Sequence, residues 1–296
     1  MSTASPFGRL LTAMVSPMRP DGSLDAEGAK RLAEHLVESG HDGIVVNGTT
    51  GESATLSDDE SLEMVSLVAE AVGGRAAVVA GVGSNATAHS VEMAARAQHA
   101  GATGLLLVTP YYNKPTQAGV VAHCRAVAGV TDLPVMLYDI PGRTGIPFEP
   151  ETLVELSTVP TIVAVKDAKG DLWASTQVMA TTDLIWFSGD DVLTLAHLAQ
   201  GAVGTVSVVG HVAGREYAAM IAAVEQGALG TAREIHRRLV PAVNVIMSTS
   251  QGAIMAKAAL VELGVIEHAT VRLPLVESPP EHLDLLRAGL SESGLL

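Results

Sequence analysis

The run Ile162-Val163-Ala164-Val165 ends on Lys166, which puts an ammonium group at the close of an apolar, strand-like stretch. A cation there must lie beside apolar surface, where desolvation lowers the pKa of an amine. The neutral amine so obtained can attack a ketone to give a carbinolamine and then an imine. The other chemistry open to the same position is a buried ion pair with a carboxylate. The other four lysines compete poorly, since Lys30 and Lys257 fall on expected helices and Lys114 and Lys169 in loops. Period-two alternation places Ile162, Ala164 and Lys166 on one face and leaves Val163 and Val165 to pack against helices.

Tyr138 closes another apolar run and alternates, with Met136, against Val135 and Leu137, so its phenol can face the same interior. A phenol beside an imine relays protons if partner hydroxyls offer a route, and Thr49 and Tyr112 are candidates; a packed tyrosine with a satisfied hydroxyl is the plainer alternative. Gly48-Thr49-Thr50-Gly51-Glu52 offers backbone N–H groups and two hydroxyls that can hold a carboxylate, or it is a simple turn. It lacks the lysine and spacing of a phosphate-binding P-loop. Arg143, in Ile140-Pro141-Gly142-Arg143-Thr144-Gly145, is either a clamp for a second carboxylate or a surface arginine. The ten histidines show no metal-binding spacing, and His35, His99 and His236 read as exposed helix residues, so no metal is expected.

These residues close short apolar runs, and such runs recur every 25 to 30 residues or so: Leu11 to Met18, Gly43 to Asn47, Ala76 to Gly81, Gly104 to Val108, Pro134 to Tyr138, Ile162 to Lys166, Leu184 to Phe187 and Gly204 to Val208. Eight strand-helix units with no break in composition favour an α/β fold closed into a (β/α)8 TIM barrel, whose active site lies at the C-terminal ends of the strands. Helix signals fill the intervals. Ser57 with Glu60 makes a capping box, and Gly73-Gly74 ends that helix. After the eighth run only helical patterns remain, so the chain divides into a barrel over 1–228 and a C-terminal helical region over 229–296.

The composition agrees. Of 296 residues, 48% are apolar and 3% aromatic, which suits parallel strands buried on both faces. A net charge of -14 repels phosphate backbones, so nucleic acid is not an expected partner. A single cysteine, Cys124, excludes an intrachain disulfide and fits a reducing cytoplasm. No apolar stretch reaches the roughly 18 residues of a membrane span.

Taken in order, Gly48-Thr49-Thr50-Gly51-Glu52, Tyr111-Tyr112-Asn113-Lys114-Pro115, Leu137 to Gly145, Val165-Lys166-Asp167 and Ser188-Gly189-Asp190-Asp191 resemble the dihydrodipicolinate synthase family of pyruvate-dependent class I aldolases, over nearly the whole chain. The resemblance implies condensation of pyruvate with L-aspartate 4-semialdehyde on the diaminopimelate route to lysine, with no cofactor beyond the covalent imine. By the same resemblance Lys166 forms the imine, and Tyr138, Thr49 and Tyr112 make the proton relay. Gly48, Thr50 and nearby backbone hold the pyruvate carboxylate, Gly189 and Val206 line the pocket with carbonyls, and Arg143 receives the semialdehyde carboxylate. Tyr112 reaches a neighbouring subunit's site in that family, which implies a homotetramer built from tight dimers.

A sibling pyruvate lyase acting on N-acetylneuraminate or a 2-keto-3-deoxy sugar acid shares the lysine, the tyrosine and the loop, and differs mainly in the acceptor pocket. A catalytically silent barrel is the reading from another class, and the complete lysine, tyrosine, threonine and arginine set speaks against it. Two departures stand out. Asp167 follows the lysine where many members carry Glu. In lysine-inhibited relatives the allosteric cleft carries histidines and a glutamate at the positions aligned with Asp58, Ser61 and His89, although Ser53, Ala54, Asn85 and Tyr111 match; weak or absent inhibition by lysine is expected.

Overall fold

A computed structural model describes residues 5–296, so the first four residues of the expected barrel region lie outside the described residues. Strands and helices alternate as β1 (Leu10–Ala13), α1 (Ala26–Glu38), β2 (Gly43–Val46), α2 (Asp58–Val72), β3 (Ala77–Gly81), α3 (Thr87–His99), β4 (Gly104–Val108) and α4 (Gln117–Ala128). The second half runs β5 (Val135–Asp139), α5 (Pro141–Thr144), α6 (Pro150–Leu156), β6 (Ile162–Asp167), α7 (Leu172–Met179), β7 (Ile185–Ser188), α8 (Thr194–Gln200) and β8 (Gly204–Ser207). Four helices follow: α9 (Gly210–Glu225), α10 (Leu229–Ser248), α11 (Gly252–Glu262) and α12 (Pro280–Glu292). All eight strands pair in parallel, each with its sequence neighbours, and β8 closes on β1. The expected (β/α)8 barrel is the observed fold, with strand limits displaced by a few residues at most except in the first run, where the strand stops at Ala13.

Two faces of each strand bury two different cores. Inward residues such as Leu11, Val45, Val79, Leu106, Met136, Ala164 and Val206 fill the barrel, while Val46, Leu105, Leu107, Leu137 and Val165 pack outward against the helices. Phe7 plugs the N-terminal end and meets Phe187 edge-on, with ring centroids 6.3 Å apart. A third cluster joins α9 to α10, α11 and α12 through Tyr217, Met220, Leu239, Ile246, Met255 and Leu286. The capping box of α2 forms as its sequence predicts, and Gly73 ends that helix in the left-handed region.

Histidines near the first and last units are structural. The Val15 N–H donates to His211 Nε2 at 3.0 Å, so Nδ1 carries the proton and donates to the Val208 carbonyl at 2.7 Å. His41 donates from Nδ1 to the Leu36 carbonyl and accepts the Thr12 hydroxyl at Nε2, both at 2.7 Å. His35 and His236, expected to be exposed like His99, are instead half-buried, and His35 Nε2 lies 3.0 Å from the His211 carbonyl. Burial pushes His41 down to about 4 and His211 down to about 3. Because the unfolded rings titrate near 6.5, the unfolded chain binds more protons between that pH and the folded values, and stability falls as pH falls through the window. Each ring is expected to cost roughly 2 kcal/mol by pH 5. A melting temperature that drops between pH 7 and pH 5, and drops less in a His41→Asn variant, is the expected result; equal slopes would contradict it.

Candidate active site

Tyr138 and Lys166 are direct partners across the β5 and β6 register, so their side chains enter the barrel mouth side by side. The Lys166 Nζ sits 4.1 Å from the centroid of the Tyr138 ring. Both are buried, at 4% and 5% exposure, which is enough to strip most water from an amine. Burial lowers Lys166 to about 8, with Arg143 reinforcing the shift and Asp191 opposing it. Burial raises Tyr138 to about 12, against the opposing pull of Arg143 and of nearby Thr49. The site thus holds an amine partly neutral near physiological pH beside a phenol that keeps its proton.

The alternation argument for β6 holds only in part. A register shift between Val135 and Met136 pairs Val135 with Ile162 but Met136 with Ala164. Ile162 therefore packs outward and Val163 lies against the barrel interior, the reverse of the simple alternation, while Ala164, Val165 and Lys166 point as expected.

The loop after β2 is bracketed by two left-handed residues, Asn47 (φ 58°) and Glu52 (φ 56°). Asn47 Nδ2 donates to the Ser61 carbonyl at 2.7 Å, and Gly51 N donates to Gly48 O at 3.0 Å, which curls Gly48-Thr49-Thr50 into the barrel mouth. The Thr50 side chain is buried, and its hydroxyl has no protein partner among the described residues. Gly48, Thr49, Tyr138 and Arg143 line one cavity of about 420 Å³. Arg143, on the short helix α5, is exposed and has no ion-pair partner among the described residues. Gly189 lies against Lys166: a Cβ there would come 2.9 Å from Lys166 Cγ and 3.0 Å from the Asp167 carbonyl, so only glycine leaves the lysine its path. Val206 is buried in the barrel interior on β8. Tyr112 borders the cavity but is 88% exposed, at φ 72°, and its hydroxyl makes no hydrogen bond among the described residues; within one chain it does not join Thr49 and Tyr138.

Three features escaped the sequence. Asp191 is buried near Lys166, where its carboxylate accepts from the Ser207 hydroxyl, from Val208 N at 2.8 Å and from Val209 N at 3.3 Å, with the Tyr217 phenol close by. Burial raises its pKa and these donors oppose that rise, and its charge holds protons on Lys166. Asp167, the residue that departs from Glu, accepts Lys169 N at 2.9 Å, Ser175 Oγ at 2.5 Å and Trp186 Nε1 at 3.2 Å, so it organises the turn after the lysine and leaves Lys166 unpaired. Gln251, Pro274 and Leu275 supply one wall of the cavity from the C-terminal region.

The Dihydrodipicolinate synthetase family pattern matches residues 6–293. The chain belongs to the dihydrodipicolinate synthetase family. One relative within it, named 4-hydroxy-tetrahydrodipicolinate synthase, from Kineococcus radiotolerans, is 56% identical over 98% of this chain and 94% of its own length. Among solved structures of the family, the enzyme from Cyanidioschyzon merolae with lysine bound superposes with a TM-score of 0.95 at 42% identity, covering 98% of this chain and 99% of its own. The chloride-inhibited dihydrodipicolinate synthase of Acinetobacter baumannii complexed with pyruvate superposes with a TM-score of 0.93 at 34% identity, covering 98% and 100%. The fold that holds Lys166 and Tyr138 side by side is thus the fold of this synthase family.

Proposed function

We propose that the chain is a lyase that condenses pyruvate with L-aspartate 4-semialdehyde to 4-hydroxy-tetrahydrodipicolinate, through an imine on Lys166 and without another cofactor. The observation that carries this is the buried, partly neutral Lys166 amine over the ring of Tyr138, which itself lines one cavity with an unpaired arginine, Arg143. Neutral Lys166 attacks pyruvate C2. Tyr138 gives its proton to the departing hydroxyl as water leaves, and recovers one from nitrogen through Thr49 and Tyr112. Gly48 and Thr50 hold the pyruvate carboxylate, and the carbonyls of Gly189 and Val206 face the substrate carbons. A proton moves from C3 to the imine nitrogen to give the enamine, whose C3 attacks the aldehyde carbon; the imine re-forms and the nitrogen's proton passes to the aldehyde oxygen, which becomes the hydroxyl, while Arg143 grips the second carboxylate. The substrate's own amine then displaces Lys166 from C2 and closes the ring.

Arg143 and the name borne by the relatives favour the semialdehyde over a sugar aldehyde. The route served is lysine and diaminopimelate biosynthesis, in the cytoplasm, in keeping with one buried thiol, Cys124, and no helix among the described residues long and apolar enough to cross a membrane. A homotetramer of tight dimers completes the relay with a partner's Tyr112; the exposure of Tyr112, and of Trp173 at 70%, supports such contact surfaces. The test is borohydride reduction with pyruvate, read by intact mass and peptide mapping. One reduced pyruvyl adduct on Lys166, absent in Lys166→Ala, is expected; an adduct elsewhere, or none, would sink the mechanism.

Lysine is expected to inhibit weakly or not at all. His89 Nε2 lies 2.9 Å from Asp58 Oδ1 and its Nδ1 3.2 Å from Ser84 Oγ, so the cleft offers an internally paired imidazole and carboxylate instead of a free glutamate for an effector's ammonium. Turnover should be unchanged at submillimolar lysine, and clear inhibition there would contradict this account.

A further inference from the structure

The Gly-Thr-Thr-Gly-Glu turn ends in a buried carboxylate whose cation comes from 205 residues further along the chain. Glu52 is 4% exposed and Lys257, on α11, is 0% exposed; the Glu52 Oε1 accepts the Lys257 ammonium, while Oε2 accepts the Arg272 backbone N–H at 2.9 Å. Lys257 also donates to the Thr270 carbonyl at 2.7 Å. The Arg272 guanidinium spans the other side of the turn, with Nη1 2.7 Å from the Thr55 carbonyl, Nε 2.9 Å from the Gly22 carbonyl and a two-pronged contact with Glu60 at 2.8 and 2.5 Å. Glu52 N in turn donates to the Thr49 carbonyl at 3.1 Å, so the anchored residue is bonded directly to the relay threonine.

A buried charge pair of this kind is a poor way to gain stability, because an apolar pair of similar volume often serves as well. What it supplies here is position. Glu52 holds a left-handed backbone that a non-glycine residue adopts only under constraint, and Gly51 is fixed by Ser16 Oγ donating to its carbonyl at 2.7 Å. The same C-terminal segment carries Pro274 and Leu275 to the cavity wall. We infer that Lys257 is a positioning residue for pyruvate: acting through Glu52, and with Arg272, it holds the Thr49-Thr50 turn in the geometry that receives the carboxylate. The C-terminal helices thereby serve the chemistry as well as the core. This rests on the imine reading above.

The test compares wild type, Lys257→Met and the double variant Glu52→Gln/Lys257→Met, reading the pyruvate concentration that half-saturates borohydride trapping together with KM for both substrates, kcat and melting temperature. Lys257→Met leaves a buried carboxylate unpaired and is expected to melt lower; the double variant, with neither charge, recovers the melting temperature. Positioning predicts that both variants, or the double alone if the single fails to fold, need about tenfold more pyruvate, with the semialdehyde KM within about twofold of wild type. Recovery of pyruvate affinity along with melting temperature in the double variant, or an equal loss for both substrates, would overturn the inference. Wild type that traps no pyruvate would overturn the imine reading itself, and this inference with it.

Discussion

Lys166→Met is expected to lower kcat/KM for pyruvate by at least about 10⁴-fold, because it removes the proposed nucleophile and with it the covalent route, an effect of about 5 kcal/mol or more on the barrier. The fold is expected to survive. Lys166 is buried without an ion-pair partner among the described residues, so a neutral chain of similar length removes a desolvation cost and the melting temperature should hold or rise. That separation of activity from stability distinguishes a nucleophile from a lysine held in a buried ion pair, such as Lys257, whose loss is expected to lower the melting temperature. The wild-type pH profile carries the same information. With Lys166 lowered to about 8, the neutral fraction falls about tenfold per pH unit below that value, so kcat/KM for pyruvate should rise with pH and level off above 8. A profile flat between pH 6 and pH 8, or a Lys166→Met enzyme within 100-fold of wild type, would require another nucleophile.

The residues that close the strands were legible because a barrel strand buried on both faces leaves a short apolar run, and a polar residue at its end must face the mouth. Lys166, Tyr138 and the Gly48 to Glu52 turn all carry that mark. The reversal of Ile162 and Val163 was not legible, since the irregularity lies in how β5 and β6 pair and neither strand shows it alone. Asp190 and Asp191 look alike in sequence. Only the fold shows that Asp191 turns inward to Ser207 and Tyr217 while Asp190 caps the following turn through Val192 N at 3.1 Å. Lys257 did leave a sign, as the one charge in Gly252-Ala253-Ile254-Met255-Ala256-Lys257-Ala258-Ala259-Leu260, a helix too apolar to be exposed. Its partner Glu52 was hidden by distance along the chain.

Tyr138→Phe isolates the phenol from the ring beneath the lysine. The phenylalanine ring keeps the face over which Lys166 Nζ lies at 4.1 Å, so the amine's apolar surroundings, and the lowered pKa they cause, are retained. What disappears is one hydroxyl, close to Thr49 and held protonated because burial raises it to about 12. In the proposed mechanism such a group acts as an acid toward the carbinolamine oxygen, and its proton is then restored through the threonine. Loss of a positioned proton donor costs about 10²- to 10⁴-fold, so kcat is expected to fall by that order, with the pyruvate KM changed much less and the alkaline rise of the pH profile kept near 8. The adduct at Lys166 should still form under borohydride, only more slowly, because the nucleophile is intact. Thr49→Val, which leaves the phenol but breaks the route back to it, should lose less than Tyr138→Phe, and the double variant should lose little more than Tyr138→Phe alone, since residues of one relay act as a unit. Additive losses would instead mean that Thr49 acts on the carboxylate by itself, and a Tyr138→Phe enzyme within threefold of wild type would show that the tyrosine is a packed residue and that the proton travels by water.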